Sequence, residues 1–127
     1  MKIVEFVLHK RQEITPCIEF LLERLEKSER VRLRQNDLRL CLYEALSNAL
    51  IHGNACDETK AVYFCATFYE DRFVAKIRDE GLGCRVKNYQ VPSDLLEGGR
   101  GLYLIEVIAD HFCYNEKNNT WTIEIIW

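Results

Sequence analysis

Residues 38–54, LRLCLYEALSNALIHGN, decide the fold of this chain. Their apolar side chains recur at the period of an α-helix and predict one face packed in a core; these residues are Leu38, Leu42, Ala45, Leu46, Ala49 and Leu50. Glu44, Asn48 and His52 occupy every fourth position, so they stack on another side of this helix. A carboxylate, an amide and an imidazole, with no lysine or arginine among them, could bind a cation and provide a proton acceptor. The polar flank of an ordinary helix is the alternative.

Two glycine motifs follow the central helix. Residues 78–83, RDEGLG, come at the end of a strand-like run, and residues 98–102, GGRGL, open another helical pattern. An acidic residue before spaced glycines, followed by a glycine cluster before a helix, is typical of nucleotide binding. The carboxylate can accept a hydrogen bond from an exocyclic amine, and the glycines let the backbone approach phosphates.

The motif series ExxxN, HGN, DxGxG and GGxGL resembles the ATP-binding domain shared by gyrase, Hsp90, histidine kinases and MutL. Within that superfamily, the short length and the sequences EALSNALIHGN and GGRGLYLIE resemble the bacterial anti-sigma factor serine/threonine kinases. The resemblance extends from about residue 3 to residue 127 and implies a single ATP-binding kinase domain, residues 1–127. It also implies a homodimer.

The resemblance implies a role for each motif residue. Asn48 would hold Mg²⁺ together with the phosphates of ATP, and Glu44 would be the catalytic base that takes a proton from the attacking hydroxyl. Asp79 would accept the exocyclic amine of adenine. The other residues predicted to contact the nucleotide are His52, Gly81, Gly83, Gly98, Gly99, Arg100, Gly101, Leu102 and Thr120.

Each role has an alternative. Asn48 could cap a neighbouring loop, and Glu44 could only orient a water molecule. His52 is equally consistent with a structural histidine, and Arg100 with a side chain that points into solvent. Relatives carry a Gly-Thr pair at Thr120, whereas this chain has Asn119-Thr120, so the fine geometry there is expected to differ.

Composition limits the class of protein. A chain of 127 residues, 48% hydrophobic and 29% charged, predicts one globular domain. The net charge of −3 argues against broad nucleic-acid binding. No long apolar run predicts a membrane span, and the N-terminus becomes charged too early for a signal peptide, so we expect a cytoplasmic protein. The six cysteines lack metal spacing and are expected to be reduced. Cys17, Cys41 and Cys65 are expected in the core, and Cys84 in a loop.

The order of local patterns predicts a two-layer α/β sandwich, in which helices cover one face of a mixed, mostly antiparallel sheet. Residues 1–10 predict a strand covered on both sides, because both of its faces are largely apolar. Thr15 and Pro16 are expected to begin a helix, residues 27–34 to form a solvated connector, and Asn36 or Asp37 to cap the central helix. The later predictions are strands at 59–69 and 72–78, a lid at 81–99, a helix at 101–110, and a last hairpin at 112–115 and 120–127.

The leading functional hypothesis is an anti-sigma factor kinase. Such a protein would hold a sigma factor away from RNA polymerase and would phosphorylate an antagonist protein on serine or threonine with Mg-ATP. Two alternatives remain: an ATP-gated protein-binding switch without phosphoryl transfer, and a small stand-alone ATPase. The intact Glu44 favours the kinase and the ATPase over the switch. The absence of an appended transducer segment favours the kinase over the ATPase.

Overall fold

The computed structural model describes residues 1–81 and 100–127. Five strands form one sheet in the order β1-β2-β3-β5-β4. The strands are β1 (Lys2–Leu8), β2 (Val62–Phe68), β3 (Arg72–Arg78), β4 (His111–Asn115) and β5 (Thr120–Ile126). The helices are α1 (Ile14–Leu22), α2 (Glu29–Asn48) and α3 (Arg100–Ile108). The predicted two-layer α/β sandwich is confirmed, and every strand pairing within the described ranges is antiparallel.

One core lies between the sheet and the helices. Side chains alternate between the two faces of a strand, and one alternate set from β2, β3 and β5 is almost fully buried. This set is Phe64, Ala66, Phe73, Ala75, Ile77, Ile123 and Ile125. It packs with apolar residues of the helices, among them Leu21, Leu38, Leu42, Leu46 and Ile105. The other face of the sheet, which we call the open face, has no helix of the described chain against it.

The first strand is an edge strand that is covered on one side only. Phe6 turns toward the helices and stacks on Phe64, with 5.6 Å between ring centroids. Ile3 and Val7 lie on the open face and are 52% and 54% exposed. The prediction that both faces of this strand are covered is therefore wrong for the described chain, because all the helices pack on the other side.

Two helix starts differ from the prediction. Helix α1 begins at Ile14 after a short 3₁₀ turn, Arg11–Glu13, so Pro16 falls in its first turn and Thr15 is not the cap. Helix α2 begins at Glu29, so residues 27–34 are not a solvated connector.

The early start of α2 has a local and a tertiary cause. Ser28 caps the helix, since its Oγ accepts the N–H of Val31 at 3.3 Å. The side chain of Val31 is buried in the core, which gives the first turns an apolar contact. Arg34 then donates to the backbone oxygens of Ile126 at 2.6 Å and Ile108 at 3.2 Å. These bonds join the first half of α2 to β5 and to the end of α3.

The central helix changes its pitch at its end. A π-helical turn, Ala49–Gly53, follows Asn48, and the N–H of Asn54 donates to the oxygen of Ala49 at 2.9 Å. π-helical turns are rare in proteins, and those that occur are often found at functional sites. No helix within residues 1–81 and 100–127 is long and apolar enough to cross a membrane. The predicted lid and Cys84 fall on residues 82–99, outside the described ranges.

Candidate functional site

Asp79 lies in a cradle made by two glycines. It follows the last residue of β3 on the helix side of the sheet and is only 7% exposed. The N–H of Gly81 donates to its Oδ1 at 2.8 Å. A Cβ atom at Gly53 would lie 2.3 Å from its Oδ2, and a Cβ atom at Gly81 would lie 1.8 Å from the oxygen of Gly53. Both positions therefore require glycine, because any larger residue would displace the carboxylate or the backbone beside it.

The electrostatics of Asp79 fit a hydrogen-bond acceptor for a neutral donor. Burial raises the pKa of this carboxyl, and the Gly81 N–H together with the charges of Arg78 and Lys60 lowers the pKa in part. Within the described ranges, no residue donates a hydrogen bond to Oδ2. Oδ2 of this carboxylate could accept a hydrogen bond from an exocyclic amine, which adds no second charge.

Asn54 is a supporting residue to which the sequence analysis assigned no role. Its side chain is 1% exposed and spans two strands. The Nδ2 group donates to the oxygen of Ala61 at 3.0 Å, and Oδ1 accepts the N–H of Glu80 at 2.8 Å. These two bonds fix the end of the π turn to the residue before β2 and to the residue after Asp79. The signal in the sequence was that Asn54 is the asparagine of the HGN motif, which directly follows a helix with a buried apolar face.

Glu44 lies against the first turn of α3. A Cβ atom at Gly101 would lie 2.6 Å from Glu44 Oε2, so glycine is what admits the carboxylate to this position. The first N–H groups of a helix have no partner within the helix, and they carry the positive end of its dipole. No described residue donates a hydrogen bond to the Glu44 carboxylate or forms an ion pair with it.

Asn48 and His52 occupy different environments. Asn48 is half-buried at the last residue of α2, one α-helical turn beyond Glu44, so the two side chains lie on one side of the helix. His52 lies in the π turn and is exposed. The predicted stack of three therefore keeps its helical spacing between Glu44 and Asn48, and the change of pitch interrupts the spacing before His52.

Thr120 and Asp79 are not brought together. Thr120 pairs with Arg78 across β3 and β5, and both side chains line a groove of about 480 Å³ on the open face. The Thr120 hydroxyl donates to the oxygen of Asn118. Asn119 is the residue of this turn that reaches the cradle, since its Nδ2 donates to the oxygen of Gly81 at 3.1 Å. Asn119 precedes β5 and has a left-handed φ, so the alternation of that strand does not predict where its side chain points, and no sequence signal identified this contact.

The remaining predicted contacts fall into two groups. The side chain of Leu102 is 2% exposed in the core, so its backbone is the part that a nucleotide could reach. Gly83, Gly98 and Gly99 lie outside the described residues, as does the side chain of Arg100. The structure thus joins Asp79 with Gly81, and Glu44 with Gly101, at the two ends of one region beside α2.

Known proteins resemble this chain over most of its length. Residues 12–127 match the family described as the histidine kinase-like ATPase domain. An anti-sigma F factor of Clostridium perfringens is 34% identical over 89 residues, which cover 65% of this chain and 64% of that protein. An anti-sigma F factor of Priestia megaterium is 32% identical over 81 residues, 58% of this chain and 55% of that protein. The serine-protein kinase RsbW of Bacillus licheniformis is 31% identical over 84 residues, 58% of this chain and 52% of that protein. The matched stretch spans less than two thirds of each of these relatives.

Proposed function

This chain belongs to the histidine kinase-like ATPase domain family, and from that premise we propose that it is an anti-sigma factor serine/threonine kinase. It would bind Mg-ATP, sequester a sigma factor, and phosphorylate an antagonist protein on serine or threonine. The names of its relatives support the two halves of this proposal separately. Two of them are called anti-sigma F factors, and another is called a serine-protein kinase.

The observation that carries the proposal is the approach of Glu44 to Gly101. The carboxylate lies at the N-terminal turn of α3 with no described cation or donor to neutralise it. A helix N-terminus favours phosphate groups, so a γ-phosphate bound there would be close to the Glu44 carboxylate. A base in this position suits proton removal from an incoming hydroxyl. A protein that only bound ATP would not require it.

Adenine would bind at Asp79, at the opposite end of the site from Glu44. Asp79 Oδ2 would accept the exocyclic amine in the glycine cradle, whereas guanine carries an acceptor oxygen at the corresponding position. The collision of any Cβ atom at Gly53 or Gly81 explains why the cradle is built from glycine. This arrangement supports an adenine nucleotide over a guanine nucleotide.

Magnesium would be held mainly by the nucleotide. Within residues 1–81 and 100–127, no group of three or more His, Cys, Asp or Glu side chains could form a protein-only metal site. Mg²⁺ commonly takes one or two protein ligands, with water and substrate phosphates for the rest. The amide oxygen of Asn48 fits such a single ligand. The ion would neutralise charge on the phosphates during transfer.

In the proposed reaction, Glu44 accepts the proton of the substrate hydroxyl while that oxygen attacks the γ-phosphorus. A bond forms between the hydroxyl oxygen and phosphorus, and the bond to the β–γ bridging oxygen breaks. ADP leaves with the bonding electron pair, and the phosphate remains on the antagonist protein. The amides at the start of α3 would hold the phosphoryl oxygens in line.

The test compares two variants that should fail differently. Glu44→Gln keeps the shape of the side chain but removes the proton acceptor, so it should bind ATP normally and transfer phosphate about 10²- to 10⁴-fold more slowly. Asn48→Ala should instead weaken the Mg²⁺-dependent part of ATP binding. Glu106→Gln is the matched control, because Glu106 is an exposed carboxylate on α3.

The assay uses γ-labelled ATP with an antagonist protein as the phosphate acceptor, together with calorimetry for ATP binding. Transfer at the wild-type rate by Glu44→Gln would remove the catalytic assignment. If the wild-type protein binds a partner only with ATP but labels none, it is a switch. Rapid release of phosphate into water without an acceptor protein would identify an ATPase.

The proposal includes a homodimer, as the resemblance implies. Several apolar side chains on the open face are at least one third exposed and would suit a second copy of the chain; they are Ile3, Val7, Tyr63 and Ile126. Sedimentation of the purified protein tests this point. A monomer at all concentrations would contradict it and would leave the kinase assignment unaffected.

A further inference from the structure

We propose that Asn119 is a positioning residue of the nucleotide site: it holds Gly81, and through Gly81 it holds the carboxylate of Asp79 in the orientation that receives adenine. This inference rests on the proposed function, since it assumes that Asp79 reads the base. It assigns a specific task to a residue in the turn between β4 and β5 that does not itself touch the base.

The backbone of Asn119 has the conformation that glycine usually supplies. Its φ is 53°, in the left-handed region. Asparagine tolerates this region better than most residues. Asn119 therefore has a backbone conformation that glycine also adopts readily. The asparagine adds a side-chain amide that glycine would lack.

The orientation of this amide is determined by its two partners. The Gly81 carbonyl can only accept, so the Asn119 Nδ2 group must face it, at 3.1 Å. Oδ1 then accepts the hydroxyl of Tyr114 at 3.0 Å. The Tyr114 ring packs on Trp121 with 4.5 Å between centroids, and Trp121 is buried in the core. The amide is therefore anchored to the core through Tyr114.

Gly81 is held on every side that the structure describes. Its N–H donates to Asp79 Oδ1, its oxygen accepts from Asn119, and its Cα lies against the oxygen of Gly53. Removal of the Asn119 amide would free the carbonyl end of this residue. The peptide could then rotate, which would weaken the N–H bond that orients the Asp79 carboxylate.

The experiment measures the affinity for ADP and for GDP by calorimetry in the full chain. Asn119→Gly keeps the left-handed backbone and removes only the amide. It should weaken ADP binding about 2- to 10-fold, the effect of one ordinary hydrogen bond, and should lower the ratio of ADP to GDP affinity. Tyr114→Phe keeps the ring on Trp121, and it should change both quantities in the same direction by a smaller factor.

Asn118→Ala is the matched control, because it changes the same turn on the open face. It should bind ADP with wild-type affinity. In kinase assays, Asn119→Gly should raise KM for ATP and leave kcat within about twofold, since Glu44 is untouched. A residue that only stabilised the fold would lower Tm without changing the ratio of ADP to GDP affinity.

Three results would overturn the inference. Wild-type ADP affinity in Asn119→Gly, with binding lost in Asp79→Asn, would remove the role of Asn119 and leave the nucleotide site in place. Wild-type affinity in both variants would remove the adenine assignment as well. If Asn119→Gly does not fold, Tyr114→Phe decides, and unchanged ADP and GDP affinities in that variant would contradict the proposal.

Discussion

Replacement of Asp79 by asparagine tests the adenine assignment most directly, and the structure predicts how the new amide would sit. Asparagine has nearly the same shape as aspartate, so the cradle of Gly53 and Gly81 should accommodate it. The Gly81 N–H requires an acceptor at the Oδ1 position. The amide oxygen of the variant must therefore occupy that position, and the NH₂ group must replace Oδ2. A donor would then face the exocyclic amine of adenine.

The expected loss follows from this geometry. The variant loses a hydrogen bond to a charged acceptor and places two donors against each other at a position with little exposure. Hydrogen bonds to charged groups contribute about 1.5–3 kcal/mol, so ADP and ATP affinity should fall about 10- to 150-fold. The contact to the start of α3 is unaffected, so the phosphate end of the site should be unchanged.

Calorimetry with ADP measures the loss, and circular dichroism confirms that the variant is folded. Lys60→Ala is a suitable control, because the charge of Lys60 makes only the last and smallest of the contributions to the pKa of Asp79. The reasoning is refuted if folded Asp79→Asn binds ADP with wild-type affinity. It is also refuted if the wild-type protein binds GTP more tightly than ATP.

Further predictions concern protonation, thiol reactivity and the start of α2. The pKa of Asp79 is raised above its ordinary value of 3.8, so the native state holds this proton more tightly than the unfolded state. Relative to Asp79→Asn, the wild-type protein should lose stability as pH rises from about 3.8 through the raised pKa, and then level off; denaturant titrations that give a pH-independent difference would contradict this. Burial raises the pKa of Cys17 and Cys41 to about 12, so a maleimide reagent at neutral pH should label the exposed Cys56 and Cys113 first. Equal labelling of all four in the native protein, measured by mass spectrometry, would be inconsistent with the fold. Ser28→Ala should lower the free energy of unfolding by about 0.5–2 kcal/mol, whereas the exposed Lys27→Ala should change it little; equal effects would argue against the cap.

Much of the fold could be predicted because its signals are local. The apolar period of residues 38–54 fixed a helix with one buried face, and the prediction of a strand at 72–78 agrees with β3 at both ends. The last hairpin was predicted to within one residue at each end. Helix and strand periods depend on neighbouring residues only, so a single sequence contains them. The start of α2 could not be found in this way, because the burial of Val31 depends on helices and strands far along the chain.

In the candidate site, too, some residues could be recognised from the sequence, whereas their contacts could not. Glu44, Asn48, Asp79 and the glycines were recognised from motif spacing, since a glycine is required wherever the backbone approaches a carboxylate or a phosphate closely. The partners of these residues were not recognisable from spacing. Gly53 lies beside Asp79 although 25 residues separate them in the sequence, as their numbers show. Only the packing of the π turn against the end of β3 brings the two together.

By itself, the sequence predicted the class of fold, the central helix and the residue types proposed to bind a nucleotide. The tertiary structure alone decided which side chain of the last hairpin reaches Gly81, beside Asp79. Neighbouring residues of a strand point to opposite faces, so a shift of one position exchanges the helix side for the open face. Thr120 begins β5 with its side chain on the open face, and Asn119, in the turn before it, contacts Gly81. The physical reason is that a motif fixes where the chain turns, whereas the register of the sheet and the packing of its core fix which side chain that turn directs into the site.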